Sequence, residues 1–144
     1  MIRLEEITPE NWREDLRVSA AQQPYVADRT VLLARAYAFR SCRSQAHLIC
    51  DGETPVGMSL YYDCPALNAY DFSQLFIDER YQRRGYGRSA ARLILERMRQ
   101  DGRYRKVTLC YIEGNEAARR LYELLGFAPT GQRDGDEIEM ELHF

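Results

Sequence analysis

The chain has 144 residues, 45% hydrophobic and 29% charged, with a net charge of −2 at pH 7. That length and balance predict one soluble globular domain over residues 1–144 with enough apolar surface for a core. The near-neutral charge and the lack of a long basic run argue against a nucleic-acid or anionic-membrane partner, and no apolar stretch is long enough to cross a bilayer.

In chain order, Ile2 and Leu4 alternate with polar neighbours as in a strand. Thr8-Pro9-Glu10 resembles an N-cap with proline at the first helical position, which predicts a short helix carrying Trp12 and Leu16 on one face. A loop over Gln22-Gln23-Pro24-Tyr25 leads to Asp28, a cap for a helix through Ala38. His47–Cys50 and Val56–Tyr62 are apolar and flank the turn residues Asp51-Gly52-Glu53-Thr54, which predicts a β-hairpin. Tyr70–Asp78 is a third strand. Ala90, Ala91, Ile94, Leu95 and Met98 fall on one helical face, ended by Gly102. Val107, Leu109 and Tyr111 alternate. Asn115 caps a helix carrying Ala118, Leu121, Tyr122 and Leu125, stopped by Gly126, and Ile138, Met140, Leu142 and Phe144 alternate in a final strand.

The second half thus reads strand, glycine loop, helix, strand, helix, strand. A strand–helix–strand unit implies a parallel pair with a right-handed crossover, whereas the upstream hairpin is antiparallel. The expected fold is α/β, a mixed sheet with helices on both faces. Ligands of such sheets bind at the carboxyl ends of the parallel strands, where Gln82-Arg83-Arg84-Gly85-Tyr86-Gly87 sits. Two glycines between a strand and a helix let the backbone curl close to a ligand, and a helix N-terminus favours an anion. Arg83, Arg84 and Arg88 add positive charge. The ligand best suited to this loop is a pyrophosphate.

Cys42, Cys50, Cys64 and Cys110 form no CxxC pair, and the chain has only His47 and His143. No metal site is expected; free thiols in a reducing cytoplasm are. The N-terminus, Met1 to Glu6, does not read as a signal peptide.

The loop resembles the Q/R-x-x-G-x-G/A signature of the GNAT superfamily of N-acetyltransferases. Asn115 to Phe127 is similar to that superfamily's N-x-x-A-x-x-L-Y-x-x-x-G-F run. The resemblance implies a GNAT-like fold, with two parallel strands splayed apart, and acetyl-CoA as co-substrate. The amides of Arg83, Arg84, Gly85, Tyr86, Gly87 and Arg88 would then hold its pyrophosphate, the backbone of Phe76 and Ile77 would pair with the pantetheine arm, and Asn115 would touch the coenzyme. Tyr122 matches the tyrosine that protonates the departing sulfur. Asp71 falls where one branch of the family carries a glutamate base.

The chemistry fits these residue types. Acyl transfer to an amine needs a neutral nucleophile, a polarised carbonyl and a proton for the leaving thiolate, and a phenol, with a reference pKa of about 10, suits that last transfer. Carboxylates outside the coenzyme motifs (Glu5, Glu6, Asp15, Asp28, Asp63, Asp71, Asp78 and Glu79) could line a pocket for a cation, with Asp28 and Asp71 the candidates to test. The loop Gln22–Asp28 and the segment around Gly135 resemble those of bacterial spermine/spermidine acetyltransferases. A polyamine or other small primary amine is the expected acceptor. A peptide, a protein or an aminoglycoside is the alternative, as is a coenzyme-binding regulatory module without catalysis. The resemblance leaves a homodimer open.

Overall fold

A computed structural model describes residues 1–144. Strand β1 covers Ile2–Glu6, helix α1 Arg29–Ala38, β2 Gln45–Asp51, β3 Thr54–Cys64 and β4 Ala69–Ile77. Helix α2 covers Tyr86–Asp101, β5 Lys106–Ile112, α3 Glu116–Leu124, β6 Ala128–Asp134 and β7 Glu137–His143. The expected caps are present. Asp28 accepts from the amide of Val31 at 2.9 Å and Asn115 from that of Ala118 at 3.3 Å, each satisfying a donor that the first helical turn leaves free.

The seven strands form one mixed sheet in the order β1-β2-β3-β4-β5-β7-β6. Only β4 and β5 run parallel. Two apolar clusters cover the two faces. Leu32 of α1 packs with Leu48, Met58, Leu60, Tyr62 and Phe76 on one. Ala91, Ile94 and Met98 of α2 and Tyr122 of α3 pack with Ile49, Tyr70, Phe72, Leu109 and Met140 on the other. The mixed α/β sheet with helices on both faces is therefore as expected.

Two features of β4 place the site. Its pairing with β3 runs Tyr61↔Phe72 and then Leu60↔Gln74, so Ser73 is an extra residue, a β-bulge. The bulge inverts the alternation: Phe72 packs under α2 and α3, whereas Phe76 packs under α1. On its other side β4 pairs with β5 only at Tyr70↔Val107 and Asp71↔Thr108. Beyond Asp71 the parallel strands splay. At the base of β4 the Arg43 guanidinium bridges Asp63 and Asp101 at 2.7 and 3.0 Å, and Tyr70 donates to Asp101 at 2.5 Å. These bonds hold the Asp101 carboxyl well below the usual range and fix the paired end.

One expectation fails, and one strand is new. Residues after Thr8 form a turn, not a helix: the amides of Asn11 and Trp12 both reach the Thr8 carbonyl, at 3.3 and 3.1 Å, and the chain then runs without regular structure to Ser19. Trp12 is half exposed while Leu16 is buried, so they do not share a packed face. Tertiary bonds win over the local signal here, because the Arg17 amide donates to Asp78 at 2.8 Å and the Arg17 carbonyl accepts from Glu79 at 3.1 Å. Strand β6 was not expected. Ala128-Pro129-Thr130-Gly131-Gln132-Arg133-Asp134 is a mostly exposed edge strand, so no apolar alternation marks it.

Candidate functional site

Two cavities open where β4 and β5 part. The first, about 440 Å³, runs over the carboxyl end of β4 and the start of α2. Phe76 and Ile77 form one wall, Gln82, Arg83, Gly85, Tyr86 and Gly87 the floor, and Ala117 and Leu121 of α3 the far side. Gly85 is the N-cap of α2 in the left-handed region, φ 79°, where a side chain would be strained. The first intrahelical bond runs from Ser89 to the Gly85 carbonyl at 3.1 Å, which leaves the amides at the helix start without helical acceptors. The unpaired edge of β4 beside this loop offers further backbone groups. An acyl-coenzyme A fits this set: free amides and a helix N-terminus for its phosphates, a bare strand edge for its amide-bearing arm.

The other candidate arginines stand aside. Arg84 places its guanidinium 5.7 Å from the centre of the Tyr81 ring, and neither Arg84 nor Arg88 lines the cavity. Tyr86 donates to Asp51 at 2.7 Å, a tie between α2 and the β2–β3 turn.

The second cavity, about 600 Å³, lies on the α1 side of the same opening. Tyr25, Arg35, Tyr62, Ser73, Asp71 and Cys110 line it, together with Glu137 and Glu139 of β7. Ser73, the bulge residue, accepts from Arg35 at 3.3 Å and from the Tyr62 hydroxyl at 3.2 Å, tying α1 and β3 to the bulge. Burial raises the Asp71 carboxyl to about 6; Arg35 opposes the rise and Glu137 and Glu139 add to it. Burial, with the nearby carboxylates, raises the Cys110 thiol to about 11.

The cavities share Val26, Leu75, Asn115, Ala118 and Tyr122. Tyr122 is 9% exposed, its ring set against Phe72 and Phe127 with centroids 6.0 and 5.6 Å away, and burial alone raises its phenol above the ordinary range. A buried weak acid between two cavities can give a proton to a group leaving one of them. A buried carboxylate with a pKa near neutrality can take one in the other.

Of the expected acceptor-side carboxylates only Asp71 lines the cavity. Asp28 is occupied as the α1 cap, and the other six also lie outside both linings. Glu137 and Glu139 were not singled out in the sequence. Their signal is Glu137, Glu139 and Glu141 alternating with Ile138, Met140 and Leu142, which puts the three glutamates on one face of β7.

The sequence profile described as the acetyltransferase (GNAT) family matches residues 4–127. A spermine/spermidine N(1)-acetyltransferase of Bacillus subtilis is 30% identical over 128 residues, covering 83% of this chain and 82% of that protein. Among solved structures, a spermidine N-acetyltransferase from Vibrio cholerae in complex with CoA and spermine superposes with a TM-score of 0.76 at 17% identity, covering 99% of this chain and 95% of the other. An acetyltransferase from Agrobacterium tumefaciens superposes with a TM-score of 0.77 at 16% identity, covering 99% and 91%. The chain belongs to the acetyltransferase (GNAT) family and is an N-acetyltransferase.

Proposed function

We propose that the protein moves the acetyl group of acetyl-CoA onto a primary amine of a di- or polycation, by direct attack of the amine on the thioester. The observation that carries the reading is the junction of the cavities at Tyr122: one has the phosphate-type loop, and the other has three carboxylates, Asp71, Glu137 and Glu139, against one cation, Arg35. The 30% identical relative, a spermine/spermidine acetyltransferase, supports the acceptor class.

Acetyl-CoA, when bound, supplies the activated acetyl group as a thioester. The backbone amides of Arg83, Gly85, Tyr86 and Gly87 and the edge of β4 at Phe76 and Ile77 would hold it, with Asn115 at the junction. Asp71 accepts the proton that the acceptor ammonium must lose to become a nucleophile; with a pKa of about 6 it is ionised at neutral pH and close enough to neutrality to accept one. Tyr122 donates its phenolic proton to the sulfur as the carbon–sulfur bond breaks. The amine nitrogen thus gains the acetyl group, the sulfur leaves as a thiol, and water restores both side chains. Cys110 is a poor relay, since a thiol held near 11 is almost wholly protonated at neutral pH.

The test is a panel of spermidine, spermine, a short peptide and an aminoglycoside with acetyl-CoA, read by thiol release and by mass spectrometry of the acetylated product. Turnover on the polyamines supports the reading, and turnover confined to peptide or aminoglycoside overturns it. Tight coenzyme binding without transfer to any amine makes the chain a binding module.

A further inference from the structure

One side chain of the acceptor cavity stands against the charge of the rest. Arg35 is the only cation among the lining residues, whereas Asp71, Glu137 and Glu139 are anions. In a cavity that took nothing but cations, a guanidinium would weaken recruitment by like-charge repulsion. The fold does not neutralise it. Half-buried Arg35 makes a single hydrogen bond, from Nη1 to the Ser73 hydroxyl at 3.3 Å, and belongs to no ion pair. Its Nε and Nη2 find no acceptor in the chain, and Ser73 is neutral and also takes the Tyr62 hydroxyl proton at 3.2 Å. Arg43, by contrast, fills its fork with Asp63 and Asp101. Arg35 is nevertheless aimed at the reacting end. Ser73 lies two residues from Asp71 on β4, at the splay, and Arg35 is the charge that acts most strongly on Asp71. An unpaired guanidinium thus faces the same end of the cavity as the carboxylate that receives the amine.

We infer that Arg35 is a carboxylate subsite, and that the acceptor is a diamine bearing a carboxylate, as a basic amino acid does. This rests on the dication reading given above and narrows it. Each charge in the cavity then has a partner on the ligand: the carboxylate lies on Arg35, and the ammonium groups lie among Asp71, Glu137 and Glu139. A carboxylate suits the site better than a phosphate. The planar guanidinium fork takes the two oxygens of a carboxylate in parallel, whereas the near-double charge of a phosphate would outweigh one guanidinium among three carboxylates. The bond to Ser73 holds the fork in place before the ligand arrives, so little side-chain freedom is lost on binding. A plain diamine of the same length meets the same anions but leaves Arg35 unpaired beside its own charge.

The experiment measures kcat/KM with saturating acetyl-CoA near pH 8, above the Asp71 titration, for lysine, lysinamide, cadaverine and spermidine. Lysinamide keeps both amines and replaces the carboxylate with a neutral amide; cadaverine lacks the group altogether. In the unmodified protein, lysine should exceed lysinamide and cadaverine by at least about ten-fold, the scale of one charge-assisted contact. In Arg35→Gln that preference should vanish, chiefly through KM. Arg35→Lys keeps the charge without the fork and should keep part of it. The ratio between acceptors is the readout, because loss of the Ser73 bond acts on all of them alike. Calorimetric acetyl-CoA affinity reports that each variant is folded, since Arg35 lies outside the coenzyme-side cavity. A lysine constant no higher than those of lysinamide and cadaverine, or an Arg35→Gln protein that loses activity on all acceptors equally, overturns the subsite. Transfer to spermidine or cadaverine in that case leaves the dication reading standing. No transfer to any of the four overturns both.

Discussion

Replacing Asp71 with Asn should stabilise the protein at alkaline pH while it depresses acetyl transfer. Burial lifts this carboxyl from 3.8 to about 6. At about 1.4 kcal/mol per pH unit, a shift of roughly two units makes the ionised native state about 3 kcal/mol less stable than it would be with an unperturbed carboxyl. The native carboxyl holds its proton more tightly than the unfolded chain does. Its favourable contribution is therefore full below the unfolded value of 3.8 and is lost as pH rises through 6. The Asn side chain stays neutral throughout. Urea unfolding should then show the variant about 3 kcal/mol more stable than the parent near pH 8 and nearly equal to it near pH 3.5, with the same m-value. In the same samples kcat/KM should fall by about 10²-fold or more, and the acid limb expected of the parent near pH 6 should vanish. A variant no more stable than the parent near pH 8, or equally advantaged at both pH values, would refute the burial argument. Full activity would remove Asp71 from the base role.

Tyr122→Phe keeps the ring against Phe72 and Phe127 and should lower turnover by about 10²-fold with little change in coenzyme affinity, checked by thiol release and calorimetry. Gly87→Arg should abolish acetyl-CoA binding in a folded protein, because Gly87 lines the cavity proposed to hold the coenzyme; unchanged calorimetric affinity would displace the phosphate site. Gly57→Ala should cost about 2 kcal/mol or more in a thermal melt, because the added carbon would lie 2.3 Å from the Phe76 carbonyl oxygen and 2.9 Å from Ile77. Damage there should also weaken coenzyme binding, since Phe76 and Ile77 wall that cavity.

The elements that could be read in the sequence carry their own local signal. The glycines of the α2 loop, the caps Asp28 and Asn115 and the alternation of β5 and β7 each state a backbone requirement within a few residues. The coenzyme-side cavity follows from them, because a strand, a glycine loop and a helix in that order place the loop at the strand's carboxyl end. The acceptor side is assembled by contacts distant in sequence. Glu137 and Glu139 reach it only because β7 inserts between β5 and β6, and Arg35 only because α1 crosses to the bulge at Ser73. The bulge has no signature in Asp71-Phe72-Ser73-Gln74, yet it decides which face Phe76 meets. The turn at Thr8 went the other way, since a capping pattern was present but the Asp78 carboxylate claimed the Arg17 amide.

The most direct measurement is the specificity constant for spermidine against that for a neutral-tailed monoamine of similar length, with saturating acetyl-CoA, at low and high salt. Spermidine should be preferred by at least about ten-fold at low salt, and the preference should shrink as ions screen the carboxylates over about 10 Å at 0.1 M. Equal constants for both amines, unmoved by salt, would contradict a cavity that selects its acceptor through Asp71, Glu137 and Glu139.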